Sequence, residues 1–259
     1  MNYKLFLNFF NKPIQRKVPE VFLIFWIIKL LTTAMGESTS DYLVHTLDPV
    51  TAVILGGIGF LIAIIMQLIV KHYIAWTYWL AVTMVAIFGT MAADVIHIGL
   101  GIPYLVSTIF FSVVLALIFI IWRKTEKTLS IHSIFNRRRE LFYWAAVLAT
   151  FALGTATGDM TATTLGLGYL NSGILFALVI AIPAVAWFVF RINAILAFWF
   201  AYIVTRPLGA SFADWFGRSR DLGGIGFGTD KTSIVLGILI LLFVIYLSVT
   251  RIDVEKSTK

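Results

Sequence analysis

The 259-residue sequence contains no cysteine, which excludes disulfides, thiolate metal sites and thiol catalysis. It is also poor in charge, at 13% Asp, Glu, Lys and Arg against 60% hydrophobic residues, with a mean hydropathy of +0.94. A chain of this size with so little charge cannot hide its apolar surface in a soluble core, so it reads as an integral membrane protein whose first partner is the lipid bilayer. Uncharged runs cover residues 49–70, 72–93, 98–122, 160–190 and 232–250, each near or above the roughly 20 residues a bilayer requires. Three further hydrophobic segments, around Trp26, Trp144 and Trp199, carry charges inside them: Lys29 and Glu37, Asp159, and Arg206 with Asp214. Eight spans result, which puts both termini on one side.

The net charge of +7 does not point to nucleic acid, because of where it falls. Fifteen of the 20 Lys and Arg lie in the termini and in alternate loops, at Lys4, Lys12, Arg16, Lys17, Lys71, Arg123, Lys124, Lys127, Arg137 to Arg139, Arg191, Arg251, Lys256 and Lys259. The other loops hold only Arg218, Arg220 and Lys231. The positive-inside rule therefore puts both termini in the cytoplasm of a cell that inserts the chain in its inner membrane.

What the sequence has in abundance is repetition. An aromatic-Trp pair is followed by Gly ten residues after the Trp and by Asp five residues later, four times: Phe25-Trp26, Gly36, Asp41; Tyr78-Trp79, Gly89, Asp94; Tyr143-Trp144, Gly154, Asp159; and Phe198-Trp199, Gly209, Asp214. The copies start 53, 65 and 55 residues apart, enough for two membrane helices and too little for a soluble domain. The expected fold is all-α and polytopic, with eight transmembrane helices as four parallel two-helix repeats: 19–72, 73–124, 137–191 and 192–251. They are flanked by a cytoplasmic segment over 1–18, a solvated cytoplasmic loop over 125–136 and a cytoplasmic tail over 252–259. Each unit is read as a Trp-bearing helix running outward, a Gly-rich outer turn, and a plain apolar helix returning. The repeats surround either a fourfold axis or form two pairs.

The recurring pattern, the opening Lys17-Val-Pro-Glu20, the Gly36-Glu37 step and the Thr205-Arg-Pro-Leu-Gly209 stretch resemble a family of bacterial uncharacterised membrane-anchored proteins built from four tandem two-helix repeats of unknown function. The resemblance spans residues 17–250 and implies the fold. It implies no biochemical activity.

Positions four apart share one helix face, so Lys29, Thr33, Glu37, Asp41 and His45 form one polar stripe in the first repeat. Its counterparts are Ala86, Thr90 and Asp94; Phe151, Thr155 and Asp159; and Tyr202, Arg206, Ala210 and Asp214. From Trp to Asp is about 22 Å of helix, so the four Asp form a layer in the outer third of the bilayer, with Glu37 and the threonines about one turn deeper. Charges at that depth are costly unless they face a partner, water or the bundle interior. Glu37, Asp41, Asp94, Asp159 and Asp214 outnumber Lys29 and Arg206 by three, so protons or a bound cation must balance the set.

These residues point to a transporter or channel for a small cation, a divalent metal or a proton-coupled species, with the carboxylates as ligands and Thr90 and Thr155 as neutral oxygens. Lys29 and Arg206 would act as counter-charges or gates, and Lys29 equally reads as a lysine reaching for the cytoplasmic interface. Arg206 is placed to meet a carboxylate of another repeat. His45 and His97, four and three residues after an Asp, are possible metal ligands. A bound metal cation is the one possible cofactor. A homo-oligomer or an accessory partner is left open, and the competing reading is a structural or accessory membrane protein whose polar stripes hold the repeats together. No nucleophile-base pair or complete metal triad stands out, so an enzyme is not expected.

Overall fold

A computed structural model describes residues 16–254, so most of the 1–18 segment and of the 252–259 tail lies outside the described residues. Eight long helices follow one another: α1 (Leu23–Thr46), α2 (Pro49–Ile69), α3 (Ala75–Asp94), α4 (Tyr104–Glu126), α5 (Arg137–Asp159), α6 (Gly168–Phe190), α7 (Ala194–Gly217) and α8 (Thr229–Thr250). Seven of them, α2 to α8, are long and apolar enough to cross a membrane. Helix α1 is as long, at 24 residues, but carries Lys29, Glu37 and Asp41. By the length and composition of its helices the chain is a multi-pass membrane protein.

The four Trp-bearing helices close into a ring, α1 on α3, α3 on α5, α5 on α7 and α7 back on α1. The repeats thus surround one axis rather than forming two pairs. The return helices lie outside this ring, and each packs chiefly on the Trp-bearing helix of the following repeat: α2 on α3, α4 on α5, α6 on α7, and α8 on α1. Burial follows this plan. In the most apolar stretch of each return helix 17–22% of residues are buried, against 56–72% in α3, α5 and α7. The outward faces carry Ile54, Ile58, Leu61, Val113, Leu178 and Ile238, the side chains a bilayer solvates.

The repeated motif builds the ring in layers. At the end where the Trp-bearing helices begin, each aromatic residue meets the Trp of the next repeat: Phe25 and Trp79 with ring centroids 5.6 Å apart, Tyr78 and Trp144 at 5.7 Å, Tyr143 and Trp199 at 6.2 Å, Phe198 and Trp26 at 5.6 Å. The Trp residues are packing residues of the ring. The next layer is glycine. A Cβ on Gly36 would sit 2.8 Å from the Ala86 carbonyl carbon, one on Gly89 2.7 Å from Phe151 Cβ, one on Gly154 2.5 Å from Arg206 Cβ, and one on Gly209 2.7 Å from Thr33 Cβ. Each Gly therefore lets the residue three before the next repeat's Gly come against its backbone, and a larger side chain there would push the helices apart. Pro207 lies inside the continuous helix α7, seated against Gly154 and Gly158 of α5.

The turns between the two helices of a repeat use glycines with positive φ, such as Gly101 at φ 64° and Gly228 at φ 100°. At the opposite end the segment before α1 and the link between α4 and α5 are partly bound down. Lys17 is fully buried and donates to Glu140 Oε2 at 2.7 Å and to the carbonyls of Gln67 and Leu68 at 3.1 Å. Burial lowers the Lys17 pKa, with Glu140 working against that shift. The link expected to be a solvated loop buries Ile131 and Ile134, and Glu126 gathers Arg138 and Arg139. Trp199 Nε1 donates to Leu129 O at 2.9 Å, fixing the link to the ring.

Candidate functional site

The polar stripes of all four Trp-bearing helices point into the ring, where they form three levels. At the middle level stand the residues one after each Gly: Glu37, Thr90, Thr155 and Ala210. Arg206, wholly buried, reaches from α7 into this level. Its Nη2 donates to Glu37 Oε2 at 2.6 Å, to Thr155 Oγ1 at 2.7 Å and to Thr90 Oγ1, and its Nη1 donates to Thr33 O at 3.4 Å. The guanidinium of one repeat is thus solvated by the other three. Thr90 and Thr155, expected as ligands of a cation, spend their oxygens on this internal cation.

Below Arg206, toward the aromatic layer, is Lys29. It does not reach for an interface: it is fully buried, with Nζ 4.0 Å from the Phe151 ring centroid and 4.3 Å from that of Tyr202. Cation–π contact solvates it in place of a hydrogen-bond acceptor. Phe151 is also 5.4 Å from the Arg206 guanidinium carbon. Beneath Lys29 the ring is filled by Phe25, Tyr78, Trp79, Tyr143 and Tyr202, all buried.

Above Arg206 lie the four Asp, and they are not equivalent. Arg218, one residue past α7, lies 2.8 Å from Asp41 Oδ2 through Nη2 and 3.2 Å from Asp214 Oδ1 through Nε. Burial alone would lower the Arg218 pKa, but the two carboxylates hold it above the usual arginine value. On the other side of the ring His97 Nε2 is 3.1 Å from Asp94 Oδ1 and 3.6 Å from Asp159 Oδ2. Here α3 and α5 widen into π-helical turns, Val95–Gly99 and Met160–Thr164, directly after their Asp, a feature common at functional sites. Two sets of ligand atoms lie within 4.8 Å of one another: Asp94, His97 and Asp159, and Glu37, Asp159 and Asp214. Asp159 belongs to both.

His45 joins neither set. It is exposed, and its Nδ1 is 2.7 Å from the Asp41 carbonyl oxygen of its own helix. Sequence reasoning also passed over Arg218, whose only signal is its place four residues after Asp214, and did not join His97 to Asp159, which belongs to another repeat. With Arg218 counted, five carboxylates face three fixed cations and two negative charges remain. Arg206 lies against Glu37 and Arg218 between Asp41 and Asp214, whereas Asp94 and Asp159 have His97 beside them.

Neither a curated protein nor a solved structure matches the chain. A family model described as Repeat of Unknown Function (DUF347) matches it four times in tandem, over residues 24–73, 77–128, 142–193 and 197–253. Each match takes in one Trp-bearing helix and its return helix, so the family repeat and the structural repeat coincide. The chain belongs to this family, as an array of four of its repeats closed into a ring.

Proposed function

We propose that the protein carries a small cation across the inner membrane, with all eight helices spanning and both termini cytoplasmic. The ring supports the eighth span, because α1 stands in it as α3, α5 and α7 do. The distribution of Lys and Arg supports the orientation. The observation that carries the reading is the uneven charge along the ring axis. Carboxylates in excess of fixed cations stand at the outer end, and the inner end is filled with aromatic rings.

That arrangement is a binding site closed on one side, which fits a carrier better than an open channel. A cation entering from outside meets Asp94 and Asp159, then the set of Glu37, Asp159 and Asp214. There it competes with Arg206 for Glu37. The guanidinium already lies near the Phe151 ring, a contact it keeps when the carboxylate is taken, and on cation release it returns to the carboxylate. Inward exit requires the aromatic layer to part, beginning at the hydroxyls of Tyr78 and Tyr143, which bond each other.

The test is flux into proteoliposomes loaded with a cation-sensitive dye, run with Mn²⁺, Zn²⁺, Mg²⁺, Ca²⁺ and Na⁺. Uptake of one cation, abolished by Asp159→Asn, supports the carrier. Absence of flux for every cation, with a thermal stability that none of them alters, leaves the structural or accessory reading. One observation favours that second reading: Glu37 and Arg206 satisfy each other within the chain.

A further inference from the structure

The outer, two-aspartate side of the ring carries a more specific inference, one that rests on the carrier reading for its role and stands apart from it in its test. Asp94, His97 and Asp159 differ from the rest of the layer in bringing an imidazole to two carboxylates. The equivalents of His97 in the other repeats are Val44, Ala162 and Gly217, so this ligand was not copied with the repeat.

His97 is oriented from behind. Ser107 of α4, fully buried, donates its hydroxyl hydrogen to Tyr104 O at 3.1 Å. Its Oγ can therefore accept from His97 Nδ1, 3.3 Å away, the tautomer that leaves Nε2 able to ligate. The ring is further held by the Tyr104 side chain, with centroids 4.7 Å apart. Nε2 then faces Asp94 Oδ1 and Asp159 Oδ2, 3.1 and 3.6 Å away. Three potential ligand atoms, one nitrogen and two oxygens, thus lie within 4.8 Å of one another, and in that tautomer a cation among them offsets their mutual repulsion. The hydrogen bond on the far nitrogen is the outer support that metal-binding histidines use to fix tautomer and direction. Access matches: the side chains of Asp94 and Asp159 are 20% and 19% exposed and that of His97 is 1% exposed, so the carboxylates face the entrance and the imidazole backs them.

We infer that Asp94, His97 and Asp159 form a binding site for a divalent transition-metal ion. One nitrogen and two carboxylate oxygens suit Mn²⁺, Fe²⁺, Co²⁺ or Zn²⁺ better than Mg²⁺ or Ca²⁺, which take oxygen alone. The ion's two charges equal the two left over on the ring. The remaining coordination positions face the opening and are free for water. Asp159, shared with Glu37 and Asp214, then links the metal to the deeper set.

Co²⁺ is the probe, because its visible absorption bands report coordination directly. The full-length protein in detergent should bind Co²⁺, and Mg²⁺ or Ca²⁺ at equal concentration should not displace it, whereas Zn²⁺ should. His97→Gln should weaken Co²⁺ binding at least tenfold, and Ser107→Ala, which removes only the orienting acceptor, by about tenfold. Both variants are compared after confirming that their unfolding midpoints without metal match the parent's, and Asp94→Asn replaces either one that fails this. Absence of Co²⁺ bands, displacement by Mg²⁺, or unchanged binding in His97→Gln overturns the site and leaves His97 as a hydrogen-bonding bridge between the two aspartates. Flux separates this inference from the carrier. Co²⁺ bound through His97 without any cation crossing would keep the site and end the carrier, and flux indifferent to His97→Gln for every cation would do the reverse.

Discussion

Arg206 is held by Thr33 and Glu37 of the first repeat, Thr90 of the second and Thr155 of the third, so its charge is bound to the integrity of the whole ring. Glu37→Gln leaves a buried guanidinium without its counter-charge, and removing one partner of such a pair costs about 3–5 kcal/mol. We expect the unfolding midpoint in detergent to fall sharply, and Glu37→Gln with Arg206→Met to recover most of the loss. A double variant no more stable than the single one would show that the pair does not act as a unit. Lys29 gives the opposite sign. It is buried with only ring faces around its ammonium, so Lys29→Met should raise the midpoint while abolishing flux. A midpoint that falls would mean that the cation–π contacts outweigh the loss of hydration. At this scale the sequence was legible where a charge stood alone in an apolar helix, as at Lys29, Glu37 and Arg206. It was silent on Arg218 and Ser107, because their meaning lies in what another element places beside them.

At the scale of the helix, the glycine of each repeat sets how closely two neighbours in the ring approach. Gly154 shows this most sharply, since Arg206 and Pro207 of α7 both press against its Cα. Gly154→Leu should displace α7 from α5 and carry Arg206 away from Thr155, costing about 1–3 kcal/mol or more through overpacking. The same change at Gly101, where no atom lies near an added Cβ, should act only through its φ of 64°. Comparing the two by thermal unfolding and by flux tests the assignment: loss of flux only at Gly154 is expected, and equal effects would sink it. The four Trp-bearing helices were legible because their motif repeats in identity and spacing. The seating of each return helix on the following repeat was not, since those helices are apolar all round and their sequence does not choose between neighbours. The bound-down loop around Ile131 and Ile134 was missed for a related reason, as its charges drew attention away from two buried apolar side chains.

At the scale of the molecule, closure of the ring brings the two ends of the described chain together. Glu20 N donates to Asp253 O at 2.9 Å, and the hydroxyl of Tyr73 donates to the Asp253 side chain, whose pKa burial pushes up. A chain opened at residues 191–193, with residues 16 and 254 joined by a flexible linker, should therefore assemble the same ring, because the break falls between α6 and α7, which remain packed on each other. Elution as a single species in detergent, with a midpoint close to the parent's, is the expected outcome, and aggregation would show that chain order matters beyond ring closure. There is a consequence for how such a protein is made. In the eight-span arrangement proposed above, Glu37 enters the membrane with the first helix, and Arg206, 169 residues later, only with the seventh. Throughout synthesis of the intervening helices the nascent chain holds an unanswered charge in the bilayer. A chain that stops short of α7 therefore leaves Glu37 without the partner that buries it, and synthesis of this protein is incomplete in charge as well as in length until α7 is inserted.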